Sequence, residues 1–184
     1  MARTEFPFGR GAVVGALAYV VGYLLTYLWQ VNAVRETLSG LNALISLLGG
    51  ETIPAWKAVG WVFYGAHVVP IRIPTPGAGS GLRSLIGNGG APTLLYVVPP
   101  LVLLVAGATV AYWAAVETPG EGLRAGVTIA SAYFVLVVLG VFLFQYAMGD
   151  VTVGSDLARS VVLAGVVYPV GFGAIGGGLY GATR

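Results

Sequence analysis

The 184-residue chain contains no cysteine and one histidine, and only 9% of its residues are Asp, Glu, Lys or Arg. The absence of cysteine excludes disulfides, thiolate metal sites and cysteine nucleophiles. A single histidine gives poor support to a His-dependent hydrolase or a multi-histidine metal site. Ordinary soluble domains carry about 25% charged residues. These few charges cannot form the polar coat of a soluble globule, so the sequence predicts an integral membrane protein with lipid around it.

The charges that are present are scattered rather than clustered. Eight Arg and one Lys are spread along the chain and form no basic stripe of the kind that nucleic-acid binding requires. We therefore expect no nucleic-acid partner. The composition likewise indicates no metal and no cofactor, and the expected partners are membrane lipid, a second copy of the chain or another membrane protein.

Apolar runs predict an all-α integral membrane bundle of about five transmembrane helices plus one amphipathic helix, in one domain over residues 1–184. The predicted spans, each long or nearly long enough to cross about 30 Å of hydrocarbon, are residues 11–31, 53–71, 93–116, 123–148 and 157–181. Residues 33–48 have apolar side chains at helical spacing, which predicts an amphipathic helix at the interface or across the bundle end. Residues 70–91, rich in Gly and Pro, are expected to form a loop, with a short extended or hairpin piece around 68–73.

The cations give an expected orientation. With five spans, the N-terminal side holds five of the nine cations, namely Arg3, Arg10, Arg72, Arg83 and Arg159. The other side holds Arg35, Arg124 and Arg184, with Lys57 near it. Because cytoplasmic loops carry the excess of Lys and Arg, we expect a multi-pass protein of the cell membrane with a cytoplasmic N-terminus. A re-entrant second helix would instead move the C-terminus to the N-terminal side.

The second predicted helix carries a polar face formed by Lys57, Trp61, Tyr64 and His67. An ionisable residue within a span is a functional candidate, and this face would line a polar path through the bundle. Alternatively, Lys57 snorkels at one boundary and His67 lies at the other, beside Pro70. We favour this structural interpretation because both residues lie close to helix ends.

Glycines recur at four-residue steps on two predicted helices. The predicted helix-packing seam consists of Gly165, Gly173, Gly177 and Gly181 on the last helix and Gly11 and Gly15 on the first. Small residues at this spacing let two helix backbones approach closely. The seam would join either helices of one chain, which we favour, or two copies of the chain.

Neither a nucleophile paired with a base nor a carboxylate near a span centre is evident in the sequence. The sequence therefore favours a non-enzymatic membrane component that acts by association with itself or with a partner. The alternative is a small channel or transporter with the polar face of the second helix along its path.

Two segments carry a resemblance to a known family. Residues 59–67 read VGWVFYGAH, and residues 95–104 read LYVVPPLVLL. Together they resemble an uncharacterised family of small multi-span membrane proteins from halophilic archaea, whose members tend to have Asn where this chain has Gly65. The resemblance implies location in an archaeal cell membrane and adds interest to Trp61, Tyr64 and His67. That family has no known function, so the resemblance implies no catalytic or binding residues.

Overall fold

The computed structural model describes residues 7–75, 79–87, 90–148 and 151–184. The helices are α1 (Phe8–Leu47), α2 (Ala55–Ala66), α3 (Val98–Trp113), α4 (Pro119–Val127), α5 (Ala130–Leu143), α6 (Leu157–Arg159) and α7 (Tyr168–Ala182). A 3-10 turn (Thr93–Val97) leads into α3, and a π-helical segment (Ser160–Val167) joins α6 to α7. The strands are β1 (Ile71–Thr75), β2 (Gly79–Arg83), β3 (Tyr146–Met148) and β4 (Val151–Ser155).

The described residues include four stretches that are long and apolar enough to cross a membrane: Phe8–Leu47, Thr93–Trp113, Pro119–Leu143 and Leu157–Ala182. The predicted span over residues 53–71 is not among them. Its helix, α2, has 12 residues and is about 18 Å long, whereas crossing the hydrocarbon takes about 30 Å. The helix ends because Val68 adopts a φ of 61° and Pro70 follows. The expectation of five spans is therefore corrected to four candidates.

The first span and the amphipathic helix predicted over residues 33–48 form one continuous helix. Helix α1 has 40 residues, or about 60 Å of length. Residues 31–33 contain neither Gly nor Pro, so nothing in the chain interrupts the backbone hydrogen bonds there. The last turns of α1 are tied to the chain that leads into α2, because the Asn42 side chain bonds both the N–H and the carbonyl of Ile53, at 2.9 and 3.1 Å.

A four-stranded antiparallel sheet corrects the all-α expectation. Two hairpins lie side by side in the order β2-β1-β4-β3, with Ile71 opposite both Arg83 and Ser155. The first hairpin occupies part of the predicted loop over residues 70–91, of which 76–78 and 88–89 lie outside the described residues. The predicted span over 123–148 begins earlier, at Pro119, and its last residues form β3 rather than helix.

The start of α1 and the end of α7 lie at the end of the bundle opposite the sheet. The Arg10 guanidinium, in the first turns of α1, donates to the carbonyl of Trp113 at the end of α3. Gly181, near the end of α7, lies against the backbone of Thr118 at the start of α4. We call this the termini end and the other the sheet end.

Helix α2 enters the bundle and returns by the sheet end. Before α2, the carbonyl of Glu51 accepts from the Tyr146 hydroxyl of β3. After α2, the carbonyl of Pro70 accepts from the N–H of Asp156, at 3.1 Å. Both flanks of α2 therefore contact the same end of the bundle. Between them, α2 packs against α1, and its side chains Tyr64 and His67 reach α5 through hydrogen bonds.

The last span crosses α3 and α4 with its backbone in direct contact. A Cβ on Gly122 would overlap the carbonyl oxygen of Gly177, and one on Gly126 or Gly107 would overlap that of Gly173. Only glycine permits this approach. Nearer the start of the same span, the π-helical segment ends at Val167, two residues before Pro169. The wider π turns leave room for the proline ring, which would clash with the preceding turn of an α-helix.

Replacing Gly177 by Ala tests the contact between α4 and α7. We expect Gly177→Ala to lower the free energy of unfolding in detergent by about 1–3 kcal/mol, because the new methyl group collides with the Gly122 backbone. Gly171→Ala in the same helix is the matched control, since nothing lies within 4 Å of a Cβ at that position. Equal stabilities of the two variants would contradict the close approach.

Candidate functional site

Helix α2 is the most deeply buried element of the chain, and residues 58–66 of it are all buried. Its polar face, predicted to consist of Lys57, Trp61, Tyr64 and His67, is turned towards α5. The structure thus brings all four predicted side chains to one neighbouring helix, and each of them forms a hydrogen bond within the chain.

Lys57 and Trp61 bind the carbonyl groups that the end of α5 leaves unpaired. The Lys57 ammonium donates to the carbonyl of Gln145, at 2.7 Å, and the Trp61 indole N–H donates to the carbonyl of Phe144, also at 2.7 Å. The last carbonyls of a helix have no partner within the helix, and a cation is favourable there. Gly60 completes this contact, because a Cβ there would overlap the Phe144 ring.

Tyr64 and Tyr19 form a directed chain of hydroxyl groups that ends on α5. The Tyr64 hydroxyl donates to the carbonyl of Val137, at 2.5 Å. Because this uses its one proton, it accepts from the Tyr19 hydroxyl, 3.2 Å away. Gly140 makes room for both hydroxyls, since a Cβ there would overlap that of Tyr19 and lie 2.6 Å from that of Tyr64.

His67 lies at the end of α2, fully buried, with both ring nitrogens hydrogen-bonded. Its Nδ1 lies 2.9 Å from the carbonyl of Phe63, and a carbonyl only accepts, so Nδ1 carries a proton. Its Nε2 lies 2.8 Å from the Tyr133 hydroxyl. In the neutral ring Nε2 accepts, and the hydroxyl donates to it. The ring also packs edge-to-face against Phe63 and at a tilt against Tyr168, with its centroid 4.9 and 5.0 Å from theirs.

The structural interpretation expects His67 at the boundary opposite Lys57, but both flanks of α2 lie at the sheet end and His67 is fully buried against Tyr133. A conducting path needs polar groups that face water or an ion. Here the polar atoms of Trp61, Tyr64 and His67 are buried and bonded to backbone or to Tyr133. They hold α2 in place against α5.

The predicted glycine seam residues lie against other parts of the same chain. A Cβ at Gly11 or Gly15 would overlap Thr128 or Ile129, between α4 and α5. A Cβ at Gly165 would lie 3.0 Å from the ring of Phe134. The seam positions Gly173, Gly177 and Gly181 lie against Gly126, Gly122 and Thr118. Packing within one chain therefore accounts for all six glycines.

Sequence reasoning missed Tyr19 and Tyr133 as members of this network. Both lie in the interior of predicted spans, away from the interfacial positions where tyrosine is common. A buried tyrosine hydroxyl needs a hydrogen-bond partner. Their mid-span positions were the available signal, and the partner of each was hidden in the packing of α1 and α5 against α2.

The rim of the sheet end carries a second cluster, around Asp156. Its side chain caps the start of α6 by accepting from the N–H of Arg159, at 3.1 Å, and it pairs with the Arg72 guanidinium of β1, at 2.8 Å. The hydrogen bond from Arg72 lowers the pKa of Asp156 below its ordinary value, and the N–H of Arg159 acts in the same direction. The pair joins the sheet to the last span.

Among the described residues, no group of three or more His, Asp or Glu side chains is placed to hold a metal ion. The histidine is enclosed by aromatic rings, and Asp156 is paired with arginine.

The bond between Tyr133 and His67 is tested by removing one hydroxyl. We expect Tyr133→Phe to lower the free energy of unfolding by about 1–3 kcal/mol, because the buried Nε2 of His67 loses its donor. Tyr112→Phe is the control, since Tyr112 is 59% exposed, and we expect it to change stability by less than about 0.5 kcal/mol. Equal losses in both variants would argue against the bond.

The comparisons with known proteins support one part of the resemblance, membership of an uncharacterised family. They do not show an archaeal source or a membrane location. No curated protein and no solved structure matches the chain. One family model matches residues 2–184, and its description is "Family of unknown function (DUF7978)". Because the match covers nearly the whole chain, this protein belongs to that family of unknown function.

Proposed function

We propose that the chain is an integral membrane protein with four spans, in which α2 is re-entrant from the sheet end. The observation that carries this proposal is the contrast between the outside and the inside of the bundle. Large apolar side chains are exposed along the candidate spans, among them Leu17, Leu28, Val105, Leu139 and Leu179. Inside, the polar groups of α2 are hydrogen-bonded within the chain. Lipid is the solvent in which such an outer surface is stable.

With four spans instead of five, the cations are divided differently between the two sides of the membrane. Among the described residues, four spans place three cations at the termini end, namely Arg10, Arg124 and Arg184, and five at the sheet end, namely Arg35, Lys57, Arg72, Arg83 and Arg159. Arg3 lies outside the described residues. This division no longer favours a cytoplasmic N-terminus. The topology proposal is therefore that the two termini share one side of the cell membrane. The archaeal membrane implied by the sequence resemblance remains part of the proposal.

The absence of cysteine makes the topology directly measurable. Single-cysteine variants Gly9→Cys, Ser84→Cys, Thr152→Cys and Thr183→Cys carry the only thiol of the chain. With four spans, we expect a membrane-impermeant maleimide to label positions 9 and 183 from one side and positions 84 and 152 from the other. Five spans would place 9, 84 and 152 together and 183 opposite. The same labelling reports which end faces the cytoplasm.

Association, rather than catalysis, is the activity we propose. Helix α1 continues beyond Val34, which packs against the cluster formed by Val62, Ala66, Ile86 and Leu95. Past Val34 the chain exposes Leu41 and Leu44 of α1 and Leu48, which directly follows it, at 43%, 55% and 79%. Intervals of three and four residues are those by which two helices of one sequence pack side by side. We assign this face of α1 to contact with a second copy of the chain.

Disulfide trapping tests the contact. On a helical wheel Thr37 lies on the side of Leu44, and Ser46 lies roughly opposite. Both are exposed. In oxidised membranes we expect Thr37→Cys to give a covalent dimer and Ser46→Cys, the matched control, to give little. Equal crosslinking of the two variants, or none in either, would contradict self-association through this face.

The channel alternative receives no support from the geometry of α2. Its polar face is occupied by α5, and its hydrogen-bonding groups are bound to that helix. A path along this face would require α2 to leave α5.

A further inference from the structure

Two arginines converge on one carboxylate at the rim of the sheet end. Arg72 comes from β1, and its Nη2 lies 2.8 Å from Oδ2 of Asp156. Arg159 lies in the first turn of the last span, and its backbone N–H donates to Oδ1 of the same carboxylate, at 3.1 Å. Asp156 is thereby fixed from two sides, and it holds elements far apart in the sequence next to each other.

The carboxylate does not balance the local charge. Its side chain is only 10% exposed, whereas that of Arg72 is 53% exposed. A guanidinium has five N–H donors. Towards the described residues Arg72 uses one of its two terminal nitrogens, and the Arg159 side chain donates no hydrogen bond. Both arginines are exposed, and the positive charge of each acts on Asp156. Among the described residues, two guanidinium groups beside one carboxylate leave a net positive charge that is accessible from outside.

The surface next to this cluster is apolar. Leu157, Val162 and Val166, on the same span, are 47%, 55% and 44% exposed. In the four-span topology these residues face acyl chains, and the two arginines lie where the hydrocarbon meets the headgroups. A ligand that fits both surfaces has an anionic head and an apolar tail.

We propose that Arg72 and Arg159 form a binding site for the phosphate of an anionic phospholipid at the sheet end. Guanidinium groups bind phosphate oxygens through paired N–H donors. Asp156 positions Arg72 and, being enclosed, presents little negative charge to the ligand. This inference rests on the proposed membrane topology.

Native mass spectrometry of the detergent-solubilised protein, titrated with phosphatidylglycerol or phosphatidylcholine, tests the site. We expect wild type to prefer phosphatidylglycerol, and Arg72→Gln/Arg159→Gln to lose most of that preference, at about fivefold in affinity for each arginine. Arg35→Gln/Arg83→Gln is the matched control, because it removes the same charge from the same end and both residues are exposed. We expect the control to retain the preference within about twofold.

The single variant Arg159→Gln is the control for misfolding, because it leaves the ion pair of Arg72 with Asp156 intact. We expect it to lose about fivefold in affinity. The proposal is overturned if this variant binds like wild type, or if both double variants lose affinity equally. It is also overturned if inorganic phosphate displaces the lipid at equal concentration, since the site would then bind free phosphate.

Vesicle flotation of the same preparations separates this proposal from the one on which it rests. A wild-type chain that fails to float with the vesicles refutes the four-span topology. A chain that floats but does not discriminate between the two lipids refutes only the site.

Discussion

The carbonyl groups at the end of α5 require donors, and an apolar bundle offers no water to provide them. Helix α2 supplies these donors through Lys57 and Trp61. Two further bonds extend the contact along α5, from Tyr64 to Val137 in its middle and between His67 and Tyr133 in its first turn. A helix too short to span therefore lies inside the bundle, because its polar groups and the open end of α5 satisfy each other.

The depth of α2 determines the arrangement of the sheet end. Since α2 does not cross, the chain must return to the end from which it entered, and the hairpin of β1 and β2 emerges beside that of β3 and β4. Pairing of β1 with β4 then brings Arg72 to Asp156. A charge pair at the rim is thus a consequence of hydrogen bonds made in the interior.

The sequence was a good guide to which residues share a helix face and a poor guide to what that face contacts. Four long apolar runs gave the candidate spans, because lipid-length hydropathy is a property of each segment alone. The spacing of Lys57, Trp61, Tyr64 and His67 also placed them together. Their partners on α5 depend on tertiary packing, and the sequence does not encode that packing locally. The strands were hidden for a similar reason: β3 continues an apolar run, and its pairing with β4 is a backbone contact that hydropathy does not report.

A change from apolar to polar residues predicts the end of a span at residue 31, but it does not predict the end of the helix, which continues to Leu47. Arg35 and Glu36 end the run of uncharged residues, but they do not stop a helix, since both are good helix formers. Hydropathy indicates which solvent suits a segment, whereas Gly and Pro indicate where a helix is interrupted. Where the two disagree, as at residues 31–36, the backbone signal decides the secondary structure.

The hydrogen-bonding groups that have partners, and those that have unused donors, indicate where this protein acts. The tyrosine and histidine groups around α2 are bonded to one another or to backbone, so a substrate entering there would have to break existing bonds without gaining new ones. Unused donors remain on Arg72 and Arg159, and unused apolar surface remains on the projecting end of α1. Both lie at the sheet end, on the surface. The polar groups of α2 are already bonded within the chain, whereas Arg72, Arg159 and the leucines at the end of α1 are accessible from outside, and this contrast is why we assign the activity to association.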